Sequence, residues 1–120
     1  MSCVLRISGP GVKVSLSKIS LEPYRVEDGA AHFDVSEADF SNLQEQVKDA
    51  IAFLQLHKED LQLIMSEPST SGVLDFAIEW RDVFAQFDSF PAALVREAGN
   101  LGLALELSHY PASEERSAEA

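Results

Sequence analysis

The sequence predicts an α+β fold, a two-layer sandwich of one sheet of about four strands with two main helices on one face, in a ferredoxin-like arrangement. Three observations lead there. Leu74, Phe76, Ile78 and Trp80 alternate with Asp75, Ala77, Glu79 and Arg81, the period of two of a sheet with one buried face. Leu43, Val47, Ala50, Ile51 and Leu54 recur at helical spacing and form a stripe able to lie across that sheet. Leu103, Leu105 and Leu107 alternate with Ala104, Glu106 and Ser108, so a further strand follows a short helical pattern.

Taken in order, Cys3, Leu5 and Ile7 alternate with Val4, Arg6 and Ser8 in a first strand, which Gly9, Pro10 and Gly11 stop with turn residues. Residues 12–20 carry apolar side chains at 12, 14, 16 and 19, read as a short helix that ends before Pro23. Extended pieces at 24–26 and 31–35 flank a turn at Asp28 and Gly29 and complete a second strand near Val35. Ser36 with Asp39, and Ser41 with Gln44, are two successive helix-start signals of the capping-box type. The long helix follows, with a polar break from His57 to Asp60 and a last turn carried by Leu61, Leu63 and Ile64. A loop at 68–72 leads to the strand at 73–80, and residues 81–89 read as extended or irregular chain. Pro91 suits the first turn of a helix striped by Leu94, Val95 and Ala98, with Gly99 and Asn100 as its stop. The expected organisation is one domain over 1–110 and an acidic tail rich in Ser, Ala and Glu over 111–120.

Composition narrows the functional classes. A chain of 120 residues, 46% hydrophobic and 24% charged, has ordinary globular usage. Nine basic against twenty acidic side chains give a formal charge of −11, which repels phosphate backbones and anionic membranes. Nucleic acid and membrane are therefore excluded as partners; a basic protein is one explanation of the charge, and solubility in general is the plainer one. The single cysteine, Cys3, allows no internal disulfide and is too little for a zinc or redox motif, which fits a reducing cytoplasm. The opening residues lack a basic leader and a long apolar block, so no signal peptide or membrane span is expected.

No pattern carries catalytic, cofactor or metal chemistry. Asp75 and Glu79 lie four residues apart on a strand, about 13 Å, too far to share one ion, and Arg81 on the same face offers charge balance. His32, His57 and His109 have no second ligand three or four residues away. No serine sits in a nucleophile elbow, and the proline of Gly9-Pro10-Gly11 removes a donor that a phosphate loop needs. Two groups of residues remain as candidates. The carboxylates Asp75, Glu79, Asp82 and Glu106, with Phe84 and Phe87, form a partner-binding surface if the 81–89 segment leaves the sheet. Trp80, His109 and Tyr110 form a pocket mouth at the strand ends. Against these stand plainer readings: a solvated sheet face for the carboxylates, core packing for the aromatics, and ordinary hydrogen bonding for the histidine.

The runs DAIAFL (49–54), LDFAIEWRD (74–82), FPAALVREAGNLG (90–102) and LELSHYP (105–111) together resemble a group of small bacterial proteins of unknown function. The resemblance implies a bacterial cytoplasmic α+β domain and transfers no catalytic residue. Domains of this kind are compared with immunity proteins, which neutralise partner toxins. The resulting expectation is a non-enzymatic module that covers a basic protein. The alternatives are a small-molecule sensor or minor enzyme with its pocket near His109, and a homodimer through the sheet edge or the Phe84 region.

Overall fold

A computed structural model describes residues 1–81 and 84–111 of the chain. Along it run β1 (Cys3–Ser8), α1 (Val12–Leu16), β2 (Arg25–Glu27), β3 (Ala30–Ser36), α2 (Leu43–Leu56), α3 (Lys58–Met65), β4 (Ser71–Trp80), α4 (Ala92–Asn100) and β5 (Leu103–Pro111). The fold is α+β, with one mixed sheet of five strands in the order β2-β3-β1-β4-β5. β1 pairs antiparallel with both β3 and β4, and β4 pairs parallel with β5.

Five strands replace the expected four because residues 24–36 make two strands. Asp28 and Gly29 both take positive φ, 51° and 75°, and fold β2 back on β3 in a two-residue hairpin turn. The element order β-α-β-β-α-α-β-α-β also departs from the β-α-β-β-α-β order of ferredoxin-like folds. The parallel pair has a simple cause: β4 and β5 are joined through α4, and a parallel neighbour needs such a crossover.

Alternation along the strands sorts the two faces. Cys3, Leu5, Ile7, Phe33, Leu74 and Phe76 are fully buried toward the helices, which answer with Val12, Leu54, Leu61, Ile64 and Leu94. Phe76 meets Phe90 with ring centroids 4.9 Å apart. Cys3 lies in this layer, and burial, reinforced by Asp75, Asp34 and Asp49, pushes its thiol far above the ordinary range, so it is neither a nucleophile nor a ready ligand.

Two helix ends differ from the expectation. Neither capping box forms: Asn42 is the cap of α2 and accepts from the Glu45 N–H at 3.1 Å, while Asp39 accepts from both the N–H and the hydroxyl of Ser41. Ser36 is instead buried at the end of β3 and donates to Asp49 of α2 at 2.6 Å. Gly99 sits inside α4, and the chain reverses at Gly102, whose φ of 73° suits glycine. The tail expected at 111–120 lies outside the described residues except for Pro111, which ends β5. No described helix is long and apolar enough to cross a membrane.

Candidate functional site

Because β4 and β5 are parallel, Trp80 and Pro111 end at the same side of the sheet. The chain leaving β3 comes to that side as well, where the Phe40 carbonyl accepts the Glu79 N–H at 3.0 Å. α2 and α4 begin there, after Asn42 and Pro91. Two connections, β3 to α2 and β4 to α4, thus gather at the end where β5 also finishes, the usual place for a site built on a rigid sheet.

Aromatic side chains collect on this end. Phe40 and Tyr110 meet with ring centroids 5.6 Å apart, and Trp80 meets His109 edge-on at 5.7 Å. Phe84 and Phe87 stand out into solvent, 106% and 89% exposed, and Phe40, Trp80 and Tyr110 are more than a third exposed. The base of the Phe84–Phe87 loop is held by Gln86. Its amide oxygen accepts the Arg81 N–H at 3.0 Å, and its amide nitrogen donates to the Glu79 carbonyl at 3.1 Å and to Asp88 at 3.0 Å. The loop's polar residues turn inward to close it, so its phenyl rings are left outside.

The open face of the sheet carries the charge. Asp75 and Glu106 are register partners on β4 and β5. Their counter-charge is Arg6 of β1: its guanidinium donates to Asp75 at 3.0 Å and to Glu106 at 3.4 Å, and Ser108 donates to the other oxygen of Asp75 at 2.8 Å. The hydrogen bond to Asp75 holds Arg6 all the more firmly protonated; partial burial opposes it, and the charges of Asp75 and Glu106 add to it. Asp75 is therefore largely satisfied within the fold, whereas Glu106 keeps half of its side chain exposed. Arg6→Gln is expected to cost about 1–2 kcal/mol, since it leaves a mostly buried carboxylate with one neutral donor. Urea unfolding reads this. Recovery of part of the loss in the Arg6→Gln, Asp75→Asn double variant is expected, and a single-variant change below about 0.5 kcal/mol would contradict the assignment.

A cleft of about 700 Å³ opens between the start of α2 and the β4–α4 connection, lined by Asn42, Leu43, Arg81, Phe87, Asp88 and Phe90 among others. Arg81 thus belongs to the cleft, and the balancing role expected for it falls to Arg6. Trp80, His109 and Tyr110 are not among its lining residues. Tyr110 is on the opposite face of the strand from His109, so the three do not converge on one point. His109 Nε2 stands 3.9 Å from Asp88, too far for a hydrogen bond. Among the described residues no three His, Cys, Asp or Glu side chains group as a metal site would require.

Of the residues singled out in the sequence, Asp75 and Glu106 are neighbours on the open face, and Glu79 lies farther along it toward Tyr110. Phe84 and Phe87 lie in the loop beyond the end of β4, and Asp82 falls outside the described residues. Sequence reasoning missed Phe40, Gln86 and Arg6. Phe40 is seventy positions from Tyr110, and a lone arginine in a strand or glutamine in a loop carries no local signal. Compared with protein-family models, with curated proteins and with solved structures, the chain finds no match in any of the three.

Proposed function

We propose that this chain is a non-enzymatic binding module that covers a basic protein surface, in the manner of an immunity protein acting in the cytoplasm. One observation carries the reading: five exposed aromatic side chains, Phe40, Trp80, Phe84, Phe87 and Tyr110, gather at the end of β4 and β5. Anchors of this type dominate binding energy at protein interfaces. Glu79, the register partner of Tyr110, lies beside them in a chain of net charge −11, and the complementary partner is basic.

The test is capture from a lysate of the source organism at low and high salt, followed by titration of the purified partner. The expected result is a basic protein whose affinity falls as salt rises and falls again when the loop phenylalanines are replaced. Salt-insensitive binding, or no basic partner, counts against the reading.

The cleft beside Arg81 favours a second reading, a small-molecule site, since its volume lies within the range of such pockets. A thermal-shift screen without a stabilising compound removes that reading and leaves the first in place.

A further inference from the structure

The last strand presents different chemistry on the two sides of the sheet. Glu106 is on the open face, while Leu105, Leu107 and His109 turn toward the helix side. What joins the two sides is the free edge of β5.

β5 is the last strand of the sheet and pairs only with β4, so alternate residues along its nine positions turn their N–H and C=O groups outward. Among the described residues, no backbone hydrogen bond from outside the sheet is made to β5. The opposite edge is β2, three residues long and ended by the hairpin turn, too short to seat another strand.

Resting on the binding-module reading, we propose that the partner enters as an extended basic segment that pairs with the outer edge of β5 and continues the sheet by one strand. Side chains of such a segment alternate between faces. One set falls on the open face beside Glu106, whose half-exposed carboxylate a lysine or arginine can meet. The other set falls beside Leu105 and Leu107, where an aliphatic residue extends the core layer. The fitting sequence therefore alternates basic and aliphatic residues. A second copy of this chain is the weaker occupant: each copy carries net charge −11, and Glu106 on the edge repels its own kind while attracting a cation.

The probe is a capped nine-residue peptide of alternating lysine and valine, titrated into the full chain with hydrogen exchange followed residue by residue. Two controls accompany it, the same peptide N-methylated at every residue and a block peptide of the same composition. The expected result is slowed exchange at β5 amides, with binding at least tenfold weaker for both controls and for the Glu106→Lys variant. Equal binding of the N-methylated peptide, absence of peptide binding, or unchanged exchange in β5 overturns edge pairing. Protection of β5 that rises with protein concentration alone identifies a second copy and overturns the basic segment. The binding-module reading is judged separately by capture of a basic protein, so it survives any of these failures if that capture succeeds.

Discussion

Phe76→Ala is expected to destabilise the fold by about 3–5 kcal/mol, a large part of the roughly 5–15 kcal/mol that holds a domain of this size together. Phe76 is fully buried in the middle of β4, opposite Cys3 on β1 and Leu107 on β5, and its ring rests on Phe90. Truncation removes apolar contact on both flanks at once. The hole cannot close by collapse of one element, because β4 is fixed between two strands and α2 is tied to it by Gln46, which donates to the Ala77 carbonyl at 2.8 Å. Guanidinium unfolding should show an earlier midpoint with an unchanged slope. A loss below about 1 kcal/mol would mean that the core is far looser around this ring than its burial indicates.

Replacing Phe84 and Phe87 together by serine should do the opposite, leaving the fold alone and removing binding. Both rings are almost wholly in solvent, so stability should stay within about 0.5 kcal/mol of the parent. If the chain docks on a basic protein through this end, the pair should carry about 2–4 kcal/mol of affinity, roughly 30- to 1,000-fold in Kd. Calorimetry or surface binding with the captured partner checks this. Full affinity in the double variant would move the contact away from the loop, and a large loss of stability would show that the rings pack within the fold after all.

The two experiments probe residues only eight to eleven positions apart with opposite expected results, and the difference was partly readable in advance. The alternation through Phe76 and Ile78 marks a buried strand face unambiguously, because a one-residue slip would turn every apolar side chain into water. Past Trp80 the period is lost: Phe84 and Phe87 fit a helix from Trp80, while Val83, Ala85 and Phe87 fit a strand. The irregular course found there follows from Gln86, whose amide bonds back to the Arg81 and Glu79 backbone and closes a loop. Such a bond depends on where the chain returns in space, which no local pattern encodes.

Other departures share that cause. Ser36 has the composition of a helix cap, but it lies at the end of β3, where it donates to Asp49 and accepts the Ala38 N–H, and Asn42, six residues later, caps α2 instead. Gly99 looks like a helix stop, yet the reversal occurs at Gly102, where the backbone takes positive φ. The short pieces at 24–26 and 31–35 read as one interrupted strand because each is brief, and only the positive φ of both Asp28 and Gly29 turns them into a hairpin.

From its sequence alone this protein is determined to be an α+β chain with a strongly acidic surface, one alternating central strand, one long striped helix and no catalytic or metal-binding pattern. Those properties depend on side-chain periodicity and on counts of charge, which are local or additive. The tertiary structure decided the strand order, the parallel edge of β5, the choice of Arg6 as partner for Asp75, and the meeting of Phe40, Trp80, Phe84, Phe87 and Tyr110 at one end. Each of these joins residues distant in sequence through pairing and packing, and such contacts are specified by the whole chain at once.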